Sequence, residues 1–275
     1  MSADRVGADR SGSTGEIQAV QRVGQLLALF TVNRPRLTVA EAASLLGMNR
    51  STVSRYFGSL VLAGVLERSR EEHTAYEPGR LVLQLGAVAQ GQRRVLDLAP
   101  SHMRRLSRET GLTVVLSLWG SAGPVVSSVS EIGTNPILIT VRVGTTLDMD
   151  SAQGHLFLRF SADHDVVSKY WESLDPVERR RVEAEVTAAG ELGLARAHAP
   201  IGMSIIAAPV FDDHDIAATV AVVGTLPFDA TTARELRRAA FRITSDMGGA
   251  DVWRALIPAD VDADADDVTH PVEAS

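Results

Sequence analysis

The sequence predicts an α+β protein in which a small unit of three helices and a hairpin is joined by a connecting helix to a larger α+β domain. Three observations predict this organisation. Residues 16–79 show apolar spacing typical of three short helices, followed by two strand-like runs around a charged turn. Helical spacing returns at Arg80. Strand-like and helical runs then alternate through residues 98–257.

Composition narrows the class of protein. The chain has 275 residues, 45% of them hydrophobic and 22% charged, as in soluble globular proteins with room for two domains. It has no cysteine, which excludes disulfides, thiolate metal sites and a cysteine nucleophile. No apolar run reaches the roughly 18–20 residues of a membrane span, and the N-terminus lacks the apolar core of a secretory signal. We therefore expect a cytoplasmic protein without a membrane partner.

Charge is distributed unevenly along the chain. The net charge is −7, but residues 16–80 hold 8 Arg and 6 Glu, a net charge of +2. Six acids lie in residues 258–275. This segment and residues 1–15 are small and polar, and we expect both to be flexible tails. A mildly positive N-terminal unit is compatible with nucleic-acid binding but is too weak a signal to establish it.

The first two helices carry clear boundary signals. The first helix is expected to end near "NRPR". Its apolar face is predicted to hold Val20, Val23, Leu27 and Phe30. Thr38 stands three residues before Glu41, a capping box that begins a second helix running to Leu46. Gly47 is expected to end this helix, and only three or four residues separate it from the next.

The third helix, within "MNRSTVSRYFGSL", begins after Asn49, a suitable N-cap. Its apolar stripe comprises Val53, Tyr56, Phe57 and Leu60. Its other face carries Arg50, Ser51, Ser54 and Arg55. Two short helices joined by a tight turn form a helix-turn-helix, whose second helix reads the major groove of DNA. Most helices have a solvated polar face, so this pattern alone also fits an ordinary surface.

A hairpin follows the third helix. "GVLERSREEHTAYEPG" reads as strand, charged turn and strand, which is the wing of a winged domain. Arg68 and Arg70 are candidates for contacts with phosphate or the minor groove, and His73 is a weaker one. The alternative is a solvated hairpin tip, because the neighbouring glutamates would repel phosphates.

The connecting helix is expected over residues 80–97. Leu81, Leu85 and Val88 give it more apolar surface than a lone linker needs, which favours a dimer contact. Pro100 is expected to interrupt this stretch, and a further helix is expected to end at Gly111.

The C-terminal domain is predicted from alternating runs. Strands are expected at "LTVVLSLW", "PVVSSVS", "PILITVRV", "SIIAAPVF" and "IAATVAVVG". Helices are expected at "DSAQGHLFLRF", "VVSKYWESL" and "PVERRRVEAEVTAA", with a last helix from about Thr231 to Met247. Such a mixture is typical of an α+β sensor domain.

The sequence resembles the IclR family of bacterial transcriptional regulators over residues 16–250. The N-terminal resemblance lies in "AVQRVGQLLALFTVNRPRLTVAEAASLLGMNRSTVSRYFGSLVLAGVLE" and "YEPGRLVLQLG". "TGLTVVLS", "VGTTL", "GHLFLRF", "GLA" and "IIAAPVFD" follow in the family's order. The resemblance implies a winged helix-turn-helix that binds double-stranded operator DNA and a GAF-like domain that binds a small-molecule effector. It also implies homodimers, possibly pairs of dimers, with repression as the expected mode.

The resemblance also implies site residues. The DNA-binding candidates are Thr38, Asn49, Arg50, Ser51, Thr52, Ser54, Arg55, Arg68 and Arg70. The effector-binding candidates are Leu116, Leu118, Trp119, Met149, Asp150, Ser151, Ala152, Gln153, Gly154, Ile205, Ala221 and Val223. His155 replaces the family's usual lysine, and Ala221 and Val223 stand where sensors of small acids carry polar side chains. We therefore expect a largely apolar or aromatic effector.

The sequence also bears on three other classes of function: a regulator that binds a protein partner, a metal-binding protein and an enzyme. The apolar lining leaves open a regulator whose C-terminal domain binds a protein partner and no small molecule. "DDHD" at 212–215 holds four potential metal ligands, but a hairpin turn explains it, and no metal site or cofactor is expected. No catalytic signature or phosphate-binding loop is present, so an enzyme is not expected.

Overall fold

The computed structural model describes residues 17–131, 142–199, 202–225 and 228–257. Most of the strand expected at "PILITVRV" and both terminal tails lie outside these residues. The chain divides into two compact units, Met1–Ala87 and Val88–Ser275. None of the helices in the described ranges combines the length and the apolar character needed to cross a membrane.

The N-terminal unit is a winged helix-turn-helix, as predicted. Its elements are α1 (Gln18–Leu27), β1 (Leu37–Thr38), α2 (Val39–Leu46), α3 (Arg50–Leu62), β2 (Leu66–Arg68) and β3 (Ala75–Pro78). The three strands form an antiparallel sheet in the order β1-β3-β2. The hairpin of β2 and β3 is the wing.

Side-chain caps fix the turn between α2 and α3. The Glu41 amide donates to Thr38 Oγ1 at 3.2 Å, and the Thr38 amide donates to the Glu41 carboxylate at 2.8 Å. Gly47 ends α2 in the left-handed region, with φ of 63°, which a residue with a Cβ adopts at a cost. Asn49 Oδ1 then accepts from the Ser51 amide at 3.0 Å and begins α3. The capping box and both ends of the turn are therefore as the sequence predicts.

The core of this unit corrects the prediction for the first helix. Leu26 is fully buried, whereas Val20 is 64% exposed and Phe30 lies beyond the end of α1. Val23, Leu26 and Leu27 are the residues of α1 that pack on the core, and Phe30 also packs on it, as predicted, from the turn that follows the helix. A bridge between Thr31 and Arg34 forms the turn that follows.

Helix α4 (Arg80–Gly91) crosses the boundary between the units. The other C-terminal elements are α5 (Val95–Thr110), β4 (Thr113–Gly120), β5 (Gly123–Ser130), α6 (Ala152–Phe160), α7 (His164–Ser173), α8 (Pro176–Leu192), β6 (Ala195–Ala199), β7 (Met203–Phe211), β8 (Ile216–Gly224), α9 (Ala230–Met247) and α10 (Ala250–Leu256). Strand β6 and helix α10 were not predicted from the sequence.

The C-terminal unit is a layered α+β domain, as predicted. Its strands form an antiparallel sheet in the order β5-β4-β8-β7-β6. Helices α5 and α9 pack together against the sheet, and α6 packs against it with α8 behind. Trp253 of α10 is fully buried against the rings of Phe211 and Phe241. Buried side chains on both sides of the sheet form one continuous core.

Pro100 does not interrupt the connecting segment, contrary to the prediction. The helical path breaks between Gly91 and Val95, and Pro100 lies inside α5. A proline here removes one backbone hydrogen bond. Burial of Val95, Ala99 and Met103 offsets that cost, because each is at most 1% exposed. The helix expected over residues 80–97 is thus α4 and the first turn of α5.

Candidate functional site

The outer face of α3 is a polar surface at the N-terminal end of the helix. Arg50, Ser51, Ser54 and Arg55 are all exposed. Val53 and Phe57 are fully buried on the other side, so the helix cannot turn this face inward. Within the described ranges, no hydrogen bond or ion pair engages the guanidinium groups of Arg50 and Arg55. Two cations are therefore available to a ligand on the face predicted to bind DNA.

Three of the predicted DNA-binding residues make hydrogen bonds within their own helix ends. Thr38 caps α2, Asn49 caps α3, and the Ser51 hydroxyl donates to Asn49 Oδ1 at 2.9 Å. Thr52 lies toward α1, across a groove of ≈ 440 Å³. The groove is lined by Ala19, Arg22, Thr52, Arg55, Tyr56 and Ser59. Arg22, which the sequence reading missed, thus adds a cation beside Arg55.

The wing holds one of its two candidate arginines in place. The Arg68 guanidinium lies 5.0 Å from the ring centre of Tyr76, and its Nη1 donates to the His73 carbonyl at 3.4 Å. Arg70 is exposed near the hairpin tip. The glutamates of the wing are partly neutralised, because Arg36 lies 2.6 Å from Glu71 and 3.4 Å from Glu77. Their repulsion of phosphates is correspondingly weaker than the sequence alone suggested.

The predicted effector-binding residues fall on two faces of the C-terminal sheet. The Ser117 hydroxyl donates to Gln153 of α6 at 2.9 Å, so odd-numbered residues of β4 face α6. Leu116 and Leu118 therefore face away from α6. Register places Ala221 opposite Val115, and Val223 opposite Ile205, on the α6 side. Four of the six strand positions in this set, Trp119, Ile205, Ala221 and Val223, thus lie on the α6 side of the sheet.

Ile205 and Val223 belong to an apolar surface that forms a cluster of its own. It comprises the buried residues Val115, Val126 and Val223, with Val129, Leu147, Met203 and Ile205 packed around them. Trp119 and Met149 belong to another cluster, nearer α7 and α8. The Trp119 ring lies 4.9 Å from that of Phe157, and its Nε1 donates to Asp163 at 3.2 Å. Trp119 and Met149 are therefore not members of that apolar cluster.

Polar groups border this apolar surface. Ser117 and Thr219 are opposite each other on β4 and β8, and Gln153 projects onto Ser117 from α6. Gln153 and Thr219 are 3% and 0% exposed. Within the described ranges, Gln153 Nε2 and Thr219 Oγ1 are buried without a hydrogen-bond partner. Leaving such a group unpaired costs about 1–3 kcal/mol, so these two atoms mark a place where a bound group would be favourable.

The N-terminus of α6 is held close to the preceding loop. Ser151 caps the helix, accepting from the Gly154 amide at 3.1 Å. A Cβ on Gly154 would stand 2.2 Å from the Met149 carbonyl oxygen and 2.8 Å from that of Asp148. Ala152 and Gln153 are buried in this first turn. The loop and the helix therefore meet with no space for a side chain at Gly154.

Asp150, predicted to bind effector, is engaged with other side chains. Its carboxylate accepts two hydrogen bonds from Arg181 of α8, and His155 Nε2 lies 2.9 Å away. Partial burial raises the pKa of Asp150, but the hydrogen bonds from Arg181 and His155 outweigh it and hold the pKa below its usual value. Burial, with the nearby Asp150 charge, raises the pKa of Tyr170 to about 12. Asp150 thus links α6 to α8.

This carboxylate makes stability depend on pH. A lowered pKa in the folded chain contributes stability that is complete above about pH 5 and is lost as the pH falls through the folded pKa. Asp150→Asn is expected to cost about 1 kcal/mol at neutral pH, since Arg181 is exposed and solvent screens the pair. The loss should shrink between about pH 5 and pH 3 in urea titrations. A difference in stability between wild type and Asp150→Asn that stays constant across that range would contradict a lowered pKa of Asp150. The control is Asp251→Asn, which removes a carboxylate from an exposed ion pair.

The acidic turn between β7 and β8 offers a group of potential metal ligands. Asp212, Asp213 and His214 can bring ligand atoms within 4.8 Å of one another. However, Asp212 Oδ1 accepts from the amides of His214 and Asp215, both at 2.9 Å. Asp215 accepts from the Ala162 amide at 3.1 Å. The two carboxylates therefore stabilise the turn, as the hairpin interpretation predicts, and Asp215 also holds it to Ala162, two residues after the end of α6.

Comparisons with known proteins agree with this geometry. The family model described as the IclR helix-turn-helix domain matches residues 19–70. The HTH-type transcriptional regulator XynR of Escherichia coli K12 is 28% identical over 102 residues. That match covers 37% of this chain and 40% of XynR, so it spans less than half of that relative.

Solved structures extend the likeness to most of the chain. An IclR transcriptional regulator from Silicibacter sp. TM1040 is 25% identical with a TM-score of 0.73, covering 84% of this chain and 97% of that one. Pseudomonas aeruginosa HmgR is 25% identical with a TM-score of 0.58 over the same shares. An IclR homologue from Microbacterium hydrocarbonoxydans, solved with 4-hydroxybenzoate, is 20% identical with a TM-score of 0.64, covering 83% and 98%.

The winged helix-turn-helix, the layered C-terminal domain and these likenesses lead to one assignment. Residues 19–70 match the IclR helix-turn-helix domain, and the chain is similar to IclR transcriptional regulators of known structure over most of its length.

Proposed function

We propose that this protein regulates transcription by binding double-stranded operator DNA with α3 in the major groove. The observation that carries the proposal is the exposed face of α3, on which Arg50 and Arg55 engage no other side chain in the described ranges. An arginine can donate two hydrogen bonds to guanine or bind a phosphate. Arg70 on the wing and Arg22 beside α3 are placed to add phosphate contacts. We propose that the protein represses its target genes and acts in the cytoplasm. This role includes no catalytic step.

DNA binding is tested with the full chain and labelled duplexes from upstream of its own gene. We expect fluorescence anisotropy to show binding that weakens steeply with salt, since each phosphate contact contributes about 0.9 to the slope of log K against log salt. A random duplex should bind at least about tenfold more weakly. Equal, weak binding to both duplexes, and to sites selected from a random library, would contradict the proposal.

The C-terminal domain is proposed to bind a largely apolar or aromatic effector. Val115, Ile205 and Val223 supply an apolar floor on the α6 side of the sheet. Gln153 Nε2 and Thr219 Oγ1 supply one donor and one hydroxyl for a polar substituent. Such a ligand would bury apolar area on the floor and pair two groups that are otherwise desolvated. Effector binding would shift the population between geometries of the DNA-binding domains.

The Thr219→Val variant tests whether the Thr219 hydroxyl binds a ligand or stabilises the fold. We expect this change to leave stability equal or about 1 kcal/mol higher, because it removes an unpaired buried hydroxyl. In contrast, Thr244→Val should cost about 1–2 kcal/mol, because Thr244 Oγ1 accepts from the Phe211 amide at 3.1 Å. Aromatic acids, beginning with 4-hydroxybenzoate, are the probes in thermal melts. A probe that raises the melting temperature of the wild type should do so less in Thr219→Val.

The second candidate function is a regulator whose C-terminal domain binds a protein partner and no small molecule. The observation in its favour is the low polarity of the predicted pocket, where Ile205, Ala221 and Val223 carry no polar atom. Failure of every aromatic and aliphatic probe to shift the melting temperature, while DNA binding is intact, would favour this candidate.

Dimerisation is proposed through α4. This helix buries none of its residues in the described chain, and Leu83, Leu85 and Val88 are each more than half exposed. A second copy would cover this apolar surface and pair two DNA-binding domains on two half-sites. Light scattering should report a dimer or a pair of dimers for the wild type and for Gln84→Glu. Leu85→Glu should weaken the assembly; an unchanged mass at low concentration would contradict this interface.

A further inference from the structure

The polar end of the proposed effector site holds two hydrogen-bond donors close together. Gln153 Oε1 accepts from the Ser117 hydroxyl at 2.9 Å, which leaves Nε2 as the unused end of the Gln153 amide. Thr219 lies directly opposite Ser117 on the neighbouring strand, so their side chains are about 5 Å apart on one face of the sheet. Gln153 Nε2 and Thr219 Oγ1 therefore lie near the same pair of strand residues, and within the described ranges neither has a hydrogen-bond partner.

These two groups match the hydrogen-bonding capacity of a carbonyl oxygen. Such an oxygen has two lone pairs and no hydrogen, so it can accept one hydrogen bond from the amide and one from the hydroxyl. A carboxylate has about four acceptor positions and a full negative charge. Two neutral donors would leave half of those positions and the whole charge uncompensated. Burial of an isolated carboxylate is far more costly than burial of a neutral group whose hydrogen bonds are made.

Within the described ranges, the strands that form this site supply no cation to a bound carboxylate. Strands β4, β5, β7 and β8 contain no charged residue. The internal segments outside the described ranges, 132–141, 200–201 and 226–227, contain none in their sequence. Arg181 and His155, from the helices behind the sheet, are both engaged with the Asp150 carboxylate. The site therefore offers hydrogen bonds to a polar group but no opposite charge.

The loop before α6 adds negative charge near the site. Asp148 Oδ1 accepts from the Asp150 amide at 2.9 Å, which holds a second carboxylate beside the start of α6. The N-terminus of a helix attracts anions, but here it already faces these two carboxylates, which repel a further anion. Arg142 is the cation of the described part of this loop, and it is exposed. A carboxylate ligand would have to recruit Arg142 or remain unpaired.

The apolar part of a ligand meets a surface of suitable length. Ala221 and Val223 follow Thr219 on the α6 side of β8 at steps of about 6.6 Å. Val115 lies opposite Ala221, and Ile205 lies opposite Val223. Ile205 is only partly buried, so this end of the surface is accessible to a ligand. One step is about the length of an aromatic ring, which places a ring directly beside the two donors.

We propose that the effector is an uncharged carbonyl compound, such as an aromatic ketone or amide, and that the site rejects the corresponding carboxylate. The carbonyl oxygen accepts from Gln153 Nε2 and from the Thr219 hydroxyl, and the ring packs on the apolar surface beside them. Selectivity comes from the cost of burying a charge that no group in the site compensates. This inference rests on the proposed effector function and adds the chemical class of the ligand.

Matched probes test the ligand class with the full-length protein. Each ring is supplied as the methyl ketone, the carboxylate and the alkyl analogue without the oxygen, beginning with 4-hydroxyacetophenone, 4-hydroxybenzoate and 4-ethylphenol. Thermal melts at about pH 7.5, where carboxylates are ionised, rank the three, and titration calorimetry gives the dissociation constants. We expect a ketone to bind at least about tenfold more tightly than its carboxylate. It should also bind more tightly than its alkyl analogue, which leaves both buried donors unpaired.

Two substitutions of Thr219 separate its hydroxyl from the shape of the site. Thr219→Val removes one donor and should weaken ketone binding about three- to tenfold, the factor for one neutral hydrogen bond. Thr219→Ser keeps the hydroxyl and should keep the preference for the ketone. Arg142→Gln is the control for the exposed cation of the loop, and it should leave all three dissociation constants unchanged.

The possible failures are distinguishable. A carboxylate that binds as tightly as its ketone would overturn this inference and leave the proposed effector function in place, and loss of that binding in Arg142→Gln would identify the cation used. Equal ketone affinity in the wild type and in Thr219→Val would overturn the contact between the carbonyl and this hydroxyl. If no probe of any ring shifts the melting temperature of a protein that binds its operator, the effector function and this inference are both wrong.

Discussion

Gly154→Ala is expected to destabilise the C-terminal unit by about 2 kcal/mol. The added Cβ would meet the backbone of residues 148–149, with the Met149 carbonyl oxygen at 2.2 Å. Backbone atoms cannot rotate away as a side chain does, so the loop must move off α6. Overpacking of this kind costs about 1–3 kcal/mol or more, against a gain of about 1 kcal/mol in helix propensity.

The same loop carries Asp150 and the Ser151 cap, so its displacement should also disturb the first turn of α6. We therefore expect a thermal midpoint lower by roughly 4–8 °C and a weaker response to any ligand of the C-terminal domain. Gly24→Ala is the matched control, since a Cβ on this helical glycine of α1 meets nothing within 4 Å. It should be neutral or slightly stabilising. Equal stability of the two variants would show that the close contact between Gly154 and the backbone of residues 148–149 does not exclude a side chain.

Arg50→Ala and Arg55→Ala are each expected to weaken operator binding by about 10–100-fold. An arginine that pairs with guanine through two hydrogen bonds contributes about 1–3 kcal/mol, and each 1.4 kcal/mol is a factor of ten in affinity. Neither side chain is buried or engaged elsewhere in the described chain. Stability should therefore change by less than about 0.5 kcal/mol.

Arg180→Ala is the control for loss of one positive charge. Arg180 is exposed on α8, in the C-terminal unit. We expect it to bind operator like the wild type, so that any loss in the α3 variants reflects their position. If Arg50→Ala and Arg55→Ala also bound like the wild type, α3 would not be the helix that contacts DNA.

The fold of the N-terminal unit could be predicted because its signals are local. Thr38 with Glu41, Gly47 and Asn49 each specify a helix end through a cap within four residues. The α3 face followed from helical periodicity alone. The burial of Leu26 in place of Val20 could not be predicted, because it depends on where α1 ends and on the neighbours it meets.

The proposed C-terminal site depends on tertiary structure, which local sequence signals do not specify. Assigning Leu116 to the pocket required knowing which face of β4 meets α6, and alternation allows either. Asp150 is engaged by Arg181, a residue 31 positions away in sequence. Gln153 was predicted by family resemblance, whereas Thr219 was not among the predicted residues. The position of its buried hydroxyl follows only from the register of the strands.

Pro100 is another residue at which tertiary packing overrides a local sequence signal. Its local signal is a helix break, yet the buried stripe of Val95, Ala99 and Met103 carries α5 through it. Periodicity before and after the proline was the signal that could have found this helix.

The central claim, that the outer face of α3 reads base sequence, is tested most directly by a specificity profile. A binding site would be selected from a random duplex library with the full chain. The affinities of the wild type, Arg50→Ala and Arg55→Ala would then be measured for every single-base-pair substitution in that site. We predict that each variant loses discrimination at one or two base pairs and keeps it elsewhere. Uniform weakening at all positions would contradict base reading by these arginines and leave them as phosphate contacts.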